Sequence, residues 1–311
     1  MLLEQFKGLM SEYEQYCQEK GFAKESIDLR ILLIRKFIEY MDKIYINPPK
    51  NIEYINNEHI FSFLKWKEEQ GCSIYSIDNY FKNIKYFFDY MYDNKSMKNP
   101  VLRNIPSPLV DRDKHDRQYD FFTKEEMEKI IDTAQRKKEN AKDFISFRNY
   151  MIILLLSYSG MTIKELRNLK DDDIDFENQL MTIRYKGGRT FYLNSTINSI
   201  LYSYISFKNK KRKSIFVFPS RENHQISKSS VEQLVRNIVL ESGVEPNERD
   251  ISPNTIRHTV IKTMVESKWD LPVISNICGL KPKSLYRYIE LDTPNAELKE
   301  TAYLDSHPFV K

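Results

Sequence analysis

Apolar residues recur three and four positions apart through four segments of the first hundred residues, about 2 to 19, 24 to 43, 57 to 70 and 74 to 93. This period constrains the chain more than any other feature. Each segment has one apolar face to hide, and short amphipathic helices in water hide such faces against one another. The second segment is representative: Ile27, Ile31 and Ile34 share a face, while Lys24, Asp28 and Arg35 lie elsewhere. A small helical bundle is therefore expected over residues 1 to 103.

The pattern stops at NPVLRNIPSPLVDRDKHDRQYD, residues 99 to 120, where prolines and charges replace the periodic apolar positions. Such composition predicts an exposed, extended linker, placed at residues 104 to 118. A second domain is expected over 119 to 311, and 311 residues suffice for two separate cores. Thr123 followed by Glu126 is a capping-box signal for its first helix. An apolar helix, FISFRNYMIILLLSYSG, comes next. In LMTIRYKGGRTFYLN, β-branched and aromatic residues flank Lys-Gly-Gly as in a hairpin, with Lys186 and Arg189 as two cations at its tip. The fold class is thus mainly α, or α+β, with a small hairpin or sheet in the second domain.

Composition narrows the function classes. Hydrophobic residues at 41% and only 8 glycines describe a globular, largely helical chain, and no internal period marks a solenoid. Cys17, Cys72 and Cys278 lie too far apart for a zinc spacing or a disulfide framework, so they read as free buried thiols, with no metal and no cofactor expected. No run reaches membrane-spanning length, and the acidic residues of the first segment do not fit a secretory or transit signal. The formal net charge of +4 is a weak basic excess, concentrated in the run KNKKRK at 208 to 213. That run reads as a solvated helix end or as a DNA contact through Lys208, Lys210, Lys211 and Arg212.

Several segments carry a resemblance in register. YSIDNYFKNIKYFFDYMYDNKSMKNPV, FTKEEMEKII, LLLSYSGMTIKELRNLKDDDIDFENQLMTI, VFPSRENHQISKSSVEQLVRNI, ISPNTIRHT and CGLKPKSLYRYIEL resemble, in this order, the tyrosine recombinase or phage integrase family. The likeness covers nearly the whole chain. It implies a helical core-binding domain, a catalytic domain and double-stranded DNA as partner. In such enzymes a tyrosine hydroxyl attacks a DNA phosphate and becomes covalently attached. Arginines hold the phosphoryl oxygens by planar, often bidentate bonds, and a hairpin lysine protonates the leaving hydroxyl.

Carried over by position, the resemblance is incomplete. An arginine is implied where Thr162 stands, a histidine where Asn254 stands, and a histidine or tryptophan where Leu280 stands. Lys186, Arg257 and Tyr288 remain as vestigial catalytic candidates. Arg257 reads as a phosphate contact or as a surface helix residue, and His258 beside it as a packed neighbour or a DNA contact. Tyr288 is either the family's nucleophile or one of the chain's 20 tyrosines, with Tyr286 two residues away.

Losing one donor to a developing oxyanion typically costs about 10²- to 10³-fold in rate. Affinity for duplex DNA, by contrast, is spread over many phosphate contacts. The expectation is a sequence-specific DNA-binding protein on a recombinase fold that no longer cuts, a regulator or repressor of a phage or mobile element. DNA contacts are assigned to Lys186, Arg189, Arg257, His258, Lys208, Lys210, Lys211 and Arg212. One alternative is an active recombinase or integrase whose missing groups come from Lys164, Arg167 or Arg287. Another is a structural accessory protein of a recombination complex. The tail TPNAELKETAYLDSHPFVK suggests self-association, and the expected location is the cytoplasm, on the nucleoid.

Overall fold

The computed structural model describes residues 2–94, 96–107, 119–185, 188–247 and 249–290. The chain divides into two compact units, Met1–Arg117 and Gln118–Lys311. The tail beyond 290 and most of the expected linker lie outside the described residues.

In the first unit, helices α1 (Leu2–Glu19), α2 (Lys24–Lys43), α3 (Asn57–Glu69) and α4 (Ile74–Asp93) follow the apolar period of the sequence closely. The starts of α3 and α4 are capped by side chains. The Asn56 side chain accepts from the His59 amide while His59 reaches back to the Asn56 amide, and Ser73 accepts from Ser76. Ile27 and Ile34 are buried as their spacing requires, whereas Ile31 is only partly covered. The core is aromatic: Phe6, Phe37, Phe63, Phe87 and Phe88 are sealed, and Tyr13 meets Phe87 edge-on at 5.3 Å between centroids. Of the three cysteines, Cys17 and Cys278 are buried; Cys72 is half-buried rather than enclosed.

The second unit opens with α5 (Lys124–Ala141), which starts as its sequence signal predicts: Thr123 accepts from the Glu126 amide, and Glu126 accepts from the Thr123 amide at 2.8 Å. The apolar helix α6 (Phe144–Ser159) has no polar face because α5, α8 (Ser195–Lys211), α9 (Lys228–Glu241) and α10 (Pro253–Glu266) all pack around it. Met151, Ile152, Ile153 and Leu155 are completely buried along it.

After the short α7 (Ile163–Asn168), strands β1 (Ile174–Asp175), β2 (Leu180–Ile183) and β3 (Arg189–Tyr192) form an antiparallel sheet in the order β1-β2-β3. Met181 pairs with Phe191 and Ile183 with Arg189. Residues 184 to 188 therefore join the strands, so the connection is longer than the two-residue Gly-Gly turn the sequence suggests. Lys186 and Gly187, within it, lie outside the described residues. Helices α11 (Leu271–Cys278) and α12 (Tyr286–Glu290) pack on α10. Among the described residues no helix is long and apolar enough to cross a membrane.

Candidate functional site

The centre of the second unit is the place where α6 ends. Gly160 adopts the left-handed conformation at φ 57°, which stops the helix and turns its carbonyl toward α10. The Arg257 guanidinium donates to that carbonyl. Arg257 sits on α10 behind Ser252, which caps the helix, and Pro253, which needs no amide partner in the first turn. Its side chain is buried, and burial lowers its proton affinity while Cys278, Glu165 and Tyr288 nearby oppose that change. The Nη1 bond leaves two further guanidinium nitrogens unengaged by described residues, and neither is fully enclosed.

Thr162, where the family resemblance implies an arginine, is committed to the backbone instead. Its hydroxyl accepts from the Glu165 amide at 3.2 Å and donates to Glu165 Oε2 at 2.9 Å, closing a capping box at the start of α7. Asn254 is exposed on the first turn of α10, and Leu280 packs its side chain against the core. These three positions bring no cation to the site.

A second guanidinium is present by another route. Arg189 pairs with Glu165, both side chains nearly sealed, and its Nε donates to the Ile277 carbonyl at 3.2 Å. Burial alone would raise the Glu165 carboxyl, but the Arg189 bond and charge, with the bonds from Thr162, hold it below its usual range. The placement corrects the reading of Arg189 as a DNA-contacting cation at the hairpin tip. It is a buried strut between α7, β3 and the end of α11, and its Nη2 is enclosed without a hydrogen-bond partner among the described residues. Gly279 makes room for it: at φ 63°, a Cβ there would lie 2.5 Å from Arg189 Nη1.

The Tyr288 hydroxyl lies 2.7 Å from His258 Nδ1, so helices α10 and α12 meet at this pair. Tyr288 is buried, which pushes its phenol up to about 12 and keeps it protonated at neutral pH. Tyr119, two residues before Phe121, packs at a tilt against the His258 ring, 4.3 Å between centroids. No signal of composition or spacing singles out Tyr119, because its role arises from a contact 139 positions along the chain.

The basic run divides by geometry. Lys208 is fully buried, with its ammonium on Asp171 at 2.6 and 2.7 Å and on the carbonyls of Ser214 and Phe216 at 3.1 Å. It is a structural ion and not the DNA contact expected from the sequence. Arg212 donates to the Arg221 carbonyl at 2.8 Å and lies over the Phe144 ring at 5.2 Å, while Lys210 and Lys211 are exposed. Phe144 opens α6 and Gly160 ends it, so Arg212 stands about 24 Å from the Arg257 anchor, the length of a 16-residue helix. One phosphate cannot engage both ends.

The alternative cations engage other side chains, Arg287 among them at the edge of the Tyr288 site itself. Arg167 donates to Gln225 at 3.0 Å, Lys164 lies 5.0 Å from the Tyr185 ring, and Arg287 donates to the Tyr119 hydroxyl at 2.7 Å. Among the described residues no group of three or more His, Cys, Asp or Glu is arranged to hold a metal ion.

A helical unit followed by this α/β arrangement, with an arginine and a tyrosine converging on one helix end, is the setting of a recombinase-type domain. The phage integrase family model matches residues 120–292, more than half of the chain, and the protein belongs to that family. Among relatives, the tyrosine recombinase of Thermosipho africanus is 26% identical, covering 93% of this chain and 95% of the relative. Tyrosine recombinase XerD of Listeria monocytogenes serotype 4b is 23% identical, over 84% and 86%. In structure the chain is similar to XerH site-specific recombinase bound to palindromic difH substrate, with a TM-score of 0.71, 20% identity and coverage of 96% of this chain and 85% of the other. The shared fold is thereby established.

Proposed function

We propose that the protein binds duplex DNA at specific sites through its recombinase fold without cutting it at recombinase rates. By occupying its sites it acts as a regulator or repressor of a phage or mobile element in the bacterial cytoplasm. The observation that carries this reading is the Thr162–Glu165 capping box, which fills the position of an expected phosphate-binding guanidinium with a hydroxyl turned to its own backbone. Asn254 and Leu280 add no charge. One missing oxyanion donor costs about 10²- to 10³-fold in rate, whereas duplex affinity survives on many phosphate contacts. Arg257 keeps unengaged donors for one of these, and the exposed Lys210 and Lys211, with Lys186, are candidates for others. Two structural neighbours, XerH bound to palindromic difH substrate in a post-cleavage complex and the Tn1549 transposon integrase in complex with transposon right end DNA, support DNA as the partner.

A second reading, an active recombinase, is favoured by the 2.7 Å contact between Tyr288 and His258, which places a phenol beside a base and near the charge of Arg257. Relatives named as recombinases point the same way. One experiment separates the two. Sites are selected from random duplex DNA, and a nicked suicide version of the bound site is then incubated with the protein and run on a denaturing gel. Salt-dependent binding with no covalent adduct is the expected result. An adduct that Tyr288→Phe abolishes would establish the recombinase instead.

A further inference from the structure

The residues just after the position-118 boundary lie along α10 as a strap. The Phe122 amide donates to Thr259 Oγ1 at 2.9 Å, the Asp250 amide donates to Asp120 Oδ2 at 2.8 Å, and Arg249 donates to the Phe121 carbonyl at 3.0 Å. Lys262 stands over the Phe121 ring at 4.7 Å. This anchoring sets Tyr119 over the contact between His258 of α10 and Tyr288 of α12. Its ring packs on His258 at 4.3 Å and stacks on Tyr288 at 5.9 Å with 21° between planes. The phenol oxygen is itself held, accepting from Arg287 Nη1 at 2.7 Å. Arg287 is exposed and immediately precedes Tyr288, so the same short helix supplies both the covered group and the latch.

We propose that Tyr119 is a positioning residue that closes over the His258–Tyr288 pair and withholds the Tyr288 hydroxyl from solvent and from anything bound at the site. Three observations converge on this role. Tyr288 is only 2% exposed although α12 is five residues long, and its neighbour Tyr286 is 56% exposed, so the helix itself does not bury it. The stack covers the ring, and His258 takes the hydroxyl from beneath. The strap bonds fix Tyr119 from one side and Arg287 from the other, which leaves the ring little freedom to swing away. Tyr119 covers the Tyr288 hydroxyl in the same way whether or not Tyr288 reacts with DNA.

Tyrosine nitration by tetranitromethane, read peptide by peptide in a mass spectrometer, tests it, because the reagent needs an accessible phenolate. In the unaltered protein Tyr286 is modified while Tyr288 is spared; equal rates at the two positions overturn the proposal. Tyr119→Ala speeds modification of Tyr288 by about tenfold or more, since each unit by which a phenol pKa falls is a tenfold gain in phenolate. Tyr119→Phe keeps the ring stack but loses the Arg287 bond, so its Tyr288 rate falls between those of the unaltered protein and Tyr119→Ala. Tyr204, fully buried elsewhere in the same core, must stay unmodified as a measure of an intact fold. An unchanged Tyr288 rate in Tyr119→Ala with Tyr204 still protected overturns the closure. If that variant exposes Tyr204, Arg287→Ala decides, because its exposed side chain can be removed without disturbing the core. A faster Tyr288 reaction there supports the latch, and a rate unchanged relative to Tyr286 overturns it.

Discussion

Arg257 reaches from α10 to the carbonyl of Gly160, so the residue proposed to hold a phosphate is also a bolt between two core helices. The two roles predict a compound phenotype. Arg257→Ala removes a charge-assisted bond worth about 1.5–3 kcal/mol, visible as a lower urea midpoint. It also weakens DNA binding evenly across sequences and reduces the salt slope by about one. Arg257→Lys keeps the charge but not the planar fork, so the salt slope is retained while affinity falls. Titration of one labelled site at several salt concentrations, beside urea melts, checks both halves.

Thr162→Arg returns a guanidinium to the end of α6. The lost cap costs about 1 kcal/mol of stability. If the missing cation is what silences the site, trapped adduct on a nicked substrate rises by about 10²-fold over the unaltered protein, the reverse of losing one oxyanion donor. Adding Tyr288→Phe removes that gain. A gel lane with no adduct in the arginine variant means that the losses at Asn254 and Leu280 matter as well.

Glu165 and Arg189 form a nearly sealed pair, and breaking it is costly from one side only. Glu165→Ala strands a buried guanidinium and costs about 3–5 kcal/mol, whereas replacing both members by apolar residues of similar volume, Glu165→Leu with Arg189→Met, is close to neutral. Differential scanning calorimetry of the two variants distinguishes them. Equal losses would mean that the pair is not acting as a unit.

Within KNKKRK the lysines separate by burial. Lys208→Ala leaves Asp171 without its partner but, at 26% exposure, still partly hydrated, so the loss falls below the about 3–5 kcal/mol of a sealed pair and above that of a surface pair. The double change Lys210→Ala and Lys211→Ala stays within about 0.5 kcal/mol, because both are exposed. If these two lysines touch phosphates, the salt slope of binding falls by about two in the same variant.

Alkaline pH weakens the second unit. Burial raises Cys278 from 9.0 to about 11 and Tyr288 from 10.0 to about 12. A group whose folded pKa is raised contributes its full stability below the unfolded value and loses it as pH climbs through the folded one. The urea midpoint is therefore flat with respect to these groups up to about pH 9 and falls between about 9 and 12. Cys278→Ser moves the onset upward toward 10, the unfolded value of the remaining phenol.

Local signals were enough for the elements and for the family. The helical period of the first hundred residues located α1 to α4 almost to the residue, because side-chain burial repeats with the helix turn. The Thr123–Glu126 box was readable because a cap involves residues three apart. Motif order likewise placed Arg257 and Tyr288 in one domain. What the residue types could not reveal was which charges are spent inside the fold. Arg189 and Lys208 look like surface cations in the chain, yet each meets a carboxylate distant in sequence, Glu165 and Asp171, and a buried charge survives only where such a partner waits. Tyr119 carries no motif at all, and becomes part of the site only when α10 and α12 bring His258 and Tyr288 beneath it. Periodicity and capping act over one or two helix turns and so are written in neighbouring residues; desolvation and ion pairing depend on the packed whole, and were decided by the tertiary structure.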